Sequence, residues 1–139
     1  MFEEVTYISC IANGKTSTYY FYHKKTKTLV PIQLDEQHTS LRLRETHPGI
    51  PPASETLRKV ISAVGAKVLN VKIYLFQDSV FYTYITITNG AEEIEINANF
   101  MESMTIAEQI KSPILFEKNV IKECGFKVTK RMIEKALLG

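Results

Sequence analysis

The chain has 139 residues, of which 45% are hydrophobic and 23% charged, and this balance suits one soluble globular domain. It excludes an intrinsically disordered chain and a collagen-like chain. No uncharged apolar stretch approaches the roughly 18–20 residues that span a bilayer, and Glu3 and Glu4 stand where a secretion signal carries positive charge. The sequence therefore predicts a cytoplasmic protein without membrane contact. The net charge of +2 predicts no strong electrostatic attraction to nucleic acid.

The first third of the sequence predicts three strands, at residues 5–12, 16–23 and 28–34. Asn13 and Gly14 form a hairpin signal between the first two strands, because both tolerate positive φ. Pro31 has no N–H group to donate, so the third strand is expected at a sheet edge or a bulge. Asp35 is a predicted N-cap for a short helix that ends near residue 43.

The middle of the sequence predicts one helix followed by three strands. Ser54 is the expected N-cap, and Gly65 the residue that ends the helix. An apolar face with helical spacing lies between them, formed by Leu57, Val60, Ile61 and Val64. The strands are expected at residues 68–76, 80–88 and 92–98. In the last of these, Ile94 and Ile96 are predicted to point inward.

The last third predicts helices at residues 101–110, 117–124 and 129–138, with a short extended piece at 114–116. Gly125 is expected to end the second of these helices. Residues 1–126 are predicted to form one domain, with 127–139 as an amphipathic C-terminal helix packed on it. Runs of strands followed by runs of helices indicate an α+β fold with a mostly antiparallel sheet and segregated helices. The repeated order of strand, strand, strand and helices also suggests a remote duplication.

The familiar short motifs of catalysis are missing from the sequence. The glycines stand singly, so no nucleotide-binding loop can be built, and no zinc-ligand spacing appears. Cys10 and Cys124 are predicted to be small buried apolar residues. His23 is predicted to be a solvated turn residue. Two features suggest contact with nucleic acid: the lysines that follow His23, and the tyrosine-rich second strand, which contains Tyr19, Tyr20 and Tyr22.

Three stretches in one colinear order resemble the bifunctional nuclease family, small bacterial, archaeal and plant proteins assigned DNA- and RNA-degrading activity. They are LVPIQLDEQHTSL (29–41), PASETLRKVISAVGAKVLNVKIYLFQDSVFYTYI (52–85) and IEINANFMESMTIAEQIKSPILFEKNVIKECGF (94–126). The resemblance implies the family's fold and a phosphodiester-cleaving activity on DNA or RNA. It lies in framework positions such as Pro31, Gly65 and Pro113 rather than in the polar ones.

The polar positions of the resemblance supply the candidate site. The family's Thr-His-Asp run becomes Ser54-Glu55-Thr56, and its Asp-Ala-Arg-Pro-Ser-Asp run becomes Asn97-Ala98-Asn99-Phe100-Met101-Glu102. The family's glutamate in the first helix becomes His38. The implied catalytic residues are therefore His38, Glu55 and Glu102, with Ser54, Asn97 and Asn99 as substrate-binding residues.

The resemblance leaves the details of function open. Mg²⁺ or Mn²⁺ is the expected cofactor, because metal-assisted phosphodiester hydrolysis uses converging carboxylates, and no organic cofactor is expected. If residues 38 and 55 meet, the exchange of glutamate and histidine between them would preserve an acid/base couple. One alternative is a non-catalytic scaffold or interaction protein on the same fold, forming a homo-oligomer. Another is a nucleic-acid-binding domain that does not cleave.

Overall fold

The computed structural model describes residues 1–34, 53–132 and 135. Within them, eight strands form one sheet and three complete helices accompany it, and residues 130–132 and 135 are also helical. The strands are β1 (Phe2–Asn13), β2 (Thr16–His23), β3 (Thr28–Leu34), β4 (Lys67–Gln77), β5 (Val80–Thr88), β6 (Glu93–Ala98), β7 (Ile114–Glu117) and β8 (Phe126–Lys127). The helices are α1 (Ala53–Ala63), α2 (Phe100–Ile110) and α3 (Lys118–Cys124). The predicted α+β class is confirmed.

The sheet has the order β6-β5-β4-β7-β1-β2-β3-β8. Neighbouring strands are antiparallel except β4 and β7, which run parallel. Two three-stranded antiparallel units, β1–β3 and β4–β6, therefore lie on either side of β7. The first strand of each unit, β1 or β4, is the one that pairs with β7. The short extended piece predicted at residues 114–116 is thus a central strand. The suggested duplication stays a prediction.

Strand β1 belongs to both halves of the sheet. Its first residues, from Phe2 to Val5, pair with β7, and the rest of the strand pairs with β2. The register of the second ladder shifts between Tyr7 and Ser9. The extra residue, Ile8, is 54% exposed, as expected for a bulge that turns one side chain out of the alternation.

The core lies on one face of the sheet, where every second side chain is buried. On β2 these positions are Ser17, Tyr19, Phe21 and His23. Helix α2 covers part of this face, and its Phe100 ring meets Tyr19 edge-on, with ring centroids 5.2 Å apart. Helix α3 contributes buried Val120 and Ile121. The remaining fully buried side chains of β3, β4, β5 and β7 are Val30, Ile32, Val71, Ile73, Thr83, Ile85, Thr86 and Phe116.

Two sequence predictions about burial are wrong. His23 is 4% exposed and not solvated, because it occupies the buried face at the end of β2. Ile94 and Ile96 are 45% and 39% exposed rather than turned into the core. Their strand, β6, is the last of the sheet and pairs only with β5 in the described part of the chain, so no neighbouring strand shields them.

The predicted ends of several elements are close to those observed. Pro31 lies in β3 where, among the described residues, only β2 pairs with it, which confirms the edge position. Gly125 follows α3 as its C-cap, as predicted. Ser54 lies inside α1 and not at its N-cap.

Parts of the predicted structure fall outside the described residues. These are the short helix after Asp35, which includes His38, and most of the predicted C-terminal helix. No helix in the described ranges is long and apolar enough to cross a membrane.

Candidate functional site

A groove of about 880 Å³ opens where β6 passes into α2. The turn between β4 and β5 forms one wall, and the start of β2 and the end of β3 form another. The groove brings together three of the six site residues predicted from sequence, Asn97, Asn99 and Glu102. Its other lining residues are Thr16, Gln33, Leu34, Tyr74, Ser79, Val80, Phe81, Tyr82, Thr83, Ala98 and Phe100.

Asn97 lies near the end of β6, and Asn99 directly precedes helix α2. Asn99 is the N-cap of α2, and its Oδ1 accepts a hydrogen bond from the backbone N–H of Glu102 at 2.7 Å. This is the usual role of asparagine before a helix, since the amide oxygen satisfies an N–H group that has no partner within the helix. Glu102 occupies the first turn, where its negative charge interacts favourably with the helix dipole.

Two buried hydroxyl contacts fix the junction between β6 and α2. Thr83 Oγ1 donates to the carbonyl oxygen of Ala98 at 2.5 Å, and it lies 2.8 Å from Ser103 Oγ. Both Thr83 and Ser103 are almost fully buried. A buried, hydrogen-bonded pair of this kind holds the start of α2 against β5. The positions of Asn99 and Glu102 at the start of α2 are therefore fixed relative to the sheet.

A cluster of three tyrosines lies beside the groove. Tyr74 stacks on Tyr84 with ring centroids 4.0 Å apart and an interplanar angle of 12°, and Tyr82 lies 6.2 Å from Tyr74. Burial raises the pKa of Tyr74, and the hydrogen bond and proximity of Tyr84 raise it further. Tyr74 therefore remains a neutral hydrogen-bond donor, and its hydroxyl donates to Asn97 Oδ1 at 3.0 Å.

In both asparagines the side-chain oxygen already accepts a hydrogen bond within the protein. Asn97 Oδ1 accepts from Tyr74, and Asn99 Oδ1 accepts from Glu102. Their Nδ2 groups have no hydrogen-bond partner among the residues described. Each Nδ2 is a donor, so the groove offers two amide donors to a ligand oxygen.

The other predicted site residues are not brought to the groove. Glu55 is in the first turn of α1, where its Oε1 lies 3.4 Å from Lys59 Nζ one helical turn later. It is not a lining residue of the groove. His38 lies outside the described residues, so its distance from Glu55 stays untested, and the structure describes the backbone of Ser54 but not its side chain.

The described residues do not by themselves fit a divalent cation. Across 1–34, 53–132 and 135, no three histidine, cysteine, aspartate or glutamate side chains gather as metal ligands. Glu102 is the one carboxylate of the described chain that lines the groove. Hard divalent cations prefer several oxygen ligands, and the described part of the groove supplies one carboxylate.

The aromatic residues of the groove differ from those singled out in the sequence. Tyr19 is 1% exposed and belongs to the core, whereas the stacking cluster comes from β4 and β5. The spacing of Tyr82 and Tyr84 indicates a shared strand face. The position of Tyr74 opposite them depends on a register shift between Ile73 and Leu75, which no local pattern reveals.

The comparison with known proteins identifies the family of the chain. A search of curated proteins finds no match. A family model, described as the bifunctional nuclease domain, matches residues 21–129. This range contains β4 to β7, both sides of the β6–α2 junction and most of the remaining chain. The chain therefore belongs to the bifunctional nuclease family.

Proposed function

We propose that this chain is a nuclease that holds a nucleic-acid strand in the groove beside α2 and hydrolyses its phosphodiester bonds. The observation that carries the proposal is the meeting of Asn97, Asn99 and Glu102 in one groove with a stacked tyrosine cluster. Membership of the bifunctional nuclease family supports the class of reaction.

The groove walls suit a single strand. Tyr82 is 39% exposed at the groove, so a base can stack on its ring. The Nδ2 groups of Asn97 and Asn99 can donate to phosphate or base oxygens. Glu102 is the one charged residue of the described lining. The strand is therefore held by stacking and neutral hydrogen bonds more than by cationic side chains. Unpaired bases are available for such stacking, whereas those of a duplex are not.

Glu102 is the residue that we assign to the chemistry. In this role its carboxylate accepts a proton from a water molecule, which attacks the phosphorus atom while the bond to the leaving oxygen breaks. The leaving oxygen takes a proton from solvent water and departs as a hydroxyl group. The start of α2 places partial positive charge near the phosphate oxygens. Asn97 and Asn99 orient the strand, and Asn99 also keeps the helix start in place.

The further catalytic roles of His38 and Glu55 are part of the proposal and rest on the family resemblance. So do the expected Mg²⁺ or Mn²⁺ and the substrate-binding role of Ser54. The ion pair of Glu55 with Lys59 gives Glu55 a structural role beside any catalytic one.

The decisive experiment measures cleavage of labelled single- and double-stranded DNA and RNA, each with Mg²⁺, Mn²⁺ or a chelator. Glu102→Gln is compared with wild type, because it keeps the side-chain shape and removes the base. Glu108→Gln is the matched control, since Glu108 lies on the same helix and does not line the groove. We expect Glu102→Gln to lose at least about 100-fold in rate, the usual effect of removing a general base, and Glu108→Gln to keep full activity. Equal cleavage by wild type and Glu102→Gln would refute the assignment.

The proposal includes a homo-oligomer. Strand β6 ends the described sheet and exposes Ile94 and Ile96, and an apolar edge strand is open to pairing with another chain. A second copy of this chain is the occupant that we propose, because identical edge strands can pair antiparallel about a twofold axis.

A further inference from the structure

A second cavity, of about 470 Å³, lies at the other end of β2 from the groove. Thr16 at the start of β2 lines the groove, whereas His23 at its end lines this cavity. A strand of this length spans about 23 Å, so the two sites are separate. We call the second cavity the lysine pocket. It is lined by Glu3, His23, Lys25, Thr26, Thr28, Lys118, Ile121, Lys122, Gly125, Phe126 and Lys127.

A buried histidine with an unused nitrogen lies in the wall of the lysine pocket. His23 is 4% exposed, and its Nε2 has no hydrogen-bond partner. Glu3 Oε2 lies 3.8 Å from Nε2, which is beyond hydrogen-bond reach. A buried polar atom without a partner costs free energy, so a ligand that supplies the partner recovers that cost.

The other ring nitrogen of His23 is held in place by two threonines. Nδ1 lies 2.6 Å from Thr26 Oγ1, which lies 2.7 Å from Thr28 Oγ1. Thr28 Oγ1 donates to the carbonyl oxygen of Thr26. Because the hydroxyl proton of Thr28 is used in this bond, Thr26 Oγ1 donates to Thr28 Oγ1. Thr26 Oγ1 therefore accepts the proton of Nδ1–H. The hydrogen bonds orient the ring and leave Nε2 as the atom without a partner.

The charge of the lysine pocket favours an anion. Four lysines line it against one carboxylate of the described chain, that of Glu3. Glu3 is itself neutralised locally, because Lys25 Nζ lies 3.4 Å from its Oε2. Lys118, Lys122 and Lys127 have no ion-pair partner among the described residues, so their ammonium groups are available to a phosphate.

The remaining wall of the lysine pocket is apolar. Ile121 and Gly125 form part of it, and Phe126, which is 43% exposed, presents an aromatic ring. The volume falls within the range of roughly 300–1,000 Å³ that is typical of small-molecule sites. Inorganic phosphate alone would leave this wall uncovered, whereas a ligand with a ring and a phosphate would use both parts.

From these features we infer that the lysine pocket binds a phosphomonoester of mononucleotide size. Its phosphate lies among Lys118, Lys122 and Lys127, a hydroxyl group of the ligand donates a hydrogen bond to His23 Nε2, and its ring packs on Phe126. The site is separate from the groove and requires no cleavage. The same phosphomonoester chemistry exists in a free nucleotide and at the 5′ end of a nucleic-acid strand.

Titration calorimetry of the full chain in the presence of a chelator tests this inference. The probes are adenosine 5′-monophosphate, adenosine, inorganic phosphate, and a short oligonucleotide with or without a 5′-phosphate. We expect one nucleotide per chain, and at least about tenfold weaker binding of adenosine and of inorganic phosphate, since each lacks a set of contacts. Tighter binding of the 5′-phosphorylated oligonucleotide than of the free nucleotide would identify the strand end as the source, and the reverse would identify the free nucleotide.

Variants assign the binding to the lysine pocket. The double variant Lys118→Gln with Lys122→Gln is expected to weaken nucleotide binding at least about tenfold. Lys67→Gln, on an exposed lysine of β4 outside the pocket, is expected to leave it unchanged. Nitrogen NMR follows His23 Nε2, whose signal should shift on binding. Circular dichroism confirms folding of each variant.

Three results would overturn the inference. They are the absence of saturable nucleotide binding, equal affinity for inorganic phosphate and nucleotide, and binding that Asn97→Ala abolishes while the double lysine variant does not. The last would place the nucleotide in the groove instead. Because no result requires catalysis, failure here is distinguishable from failure of the proposed nuclease activity.

Discussion

The hydroxyl of Tyr74 donates to Asn97 Oδ1 at 3.0 Å, although 23 positions separate the two residues. The contact joins β4 to β6 across the intervening strand β5, because Tyr74 occupies the register shift of the β4–β5 ladder. One side of the groove is therefore held by a hydrogen bond between strands that are not neighbours.

Tyr74→Phe removes this hydrogen bond and keeps the ring stacked on Tyr84. We expect a loss of about 0.5–1.5 kcal/mol in the free energy of unfolding, the usual net value of one hydrogen bond. The side-chain amide signals of Asn97 should also shift in the NMR spectrum. Tyr82→Phe is the control, since no hydrogen bond of its hydroxyl is found among the described residues. Identical effects of the two changes would contradict the role given to Tyr74.

Two substitutions at Asn99 separate helix capping from strand binding. Asn99→Ala is expected to cost about 1 kcal/mol of stability, since the N-cap oxygen is lost. Asn99→Asp keeps that oxygen and should retain stability, but it replaces the Nδ2 donor with a negative charge. We therefore expect Asn99→Asp to weaken the binding of single-stranded oligonucleotide, measured by fluorescence anisotropy. If Asn99→Asp bound as tightly as wild type, Asn99 would act as a cap alone.

Gly125 is required by close packing. A Cβ atom there would lie 2.6 Å from Ile121 O and 3.1 Å from Val30 Cγ2, and closer still to Thr28 Cγ2. Gly125→Ala is expected to cost about 1–3 kcal/mol, as overpacking usually does, in urea unfolding experiments. Adding Thr28→Ser removes the nearest methyl group and should restore part of the loss. A fully additive double-mutant cycle would refute this explanation.

Cys124 should make stability depend on alkaline pH. Burial raises the pKa of its thiol from 9.0 to about 11, and the charge of Glu123 adds to the effect. Because the folded state holds the proton more tightly, this contribution to stability is complete below pH 9 and is lost as the pH rises toward 11. Urea unfolding at the two ends of this range measures it.

The variant Cys124→Ala is expected to show a smaller fall in stability over the same pH range. In a Cys10→Ser background, Cys124 should also react slowly with iodoacetamide below pH 9, since the thiolate is the reactive form. Rapid labelling there would contradict the raised pKa.

The proposed homo-oligomer predicts a change of mass when the edge strand is altered. Introducing Ile94→Lys together with Ile96→Lys should give a monomer in light scattering, because two charges on the apolar edge oppose pairing. Glu93→Lys on the same strand adds a charge without removing an apolar side chain, and should keep the oligomer. A monomeric wild type would refute the proposal.

Much of the fold could be predicted because local patterns decide it. The strand at residues 80–88 matches β5 residue for residue, and Gly125 ends its helix as expected. Sheet order could not be predicted in the same way. The central position of β7 depends on its partners β1 and β4, which are distant in sequence.

Burial on individual strands depends on the same long-range pairing. The alternation on β6 would turn Ile94 and Ile96 inward if a further strand or helix covered them, and the described chain supplies none. His23 directly precedes a lysine-rich turn in sequence, yet its position at the end of β2 places it on the buried face. Local composition predicts a solvated turn, whereas the alternation of side chains along β2 determines that His23 is buried.

The candidate site was predicted in part. The resemblance selected Asn97, Asn99 and Glu102, which are close in sequence and meet at one strand–helix junction. It also selected Glu55, which the structure places on α1 with Lys59 as its partner. The tyrosine cluster and the lysine pocket combine residues from separate parts of the chain, so they required the tertiary structure.

The division of β1 between two ladders has a consequence for folding. Its first residues pair with β7, more than 100 positions later in the chain, whereas the rest pair with the adjacent β2. During synthesis the hairpin of β1 and β2 can form early, but the start of β1 must wait for β7 to leave the ribosome. Such distant contacts slow folding, so the closing of the sheet around β7 is expected to be a late, rate-limiting event.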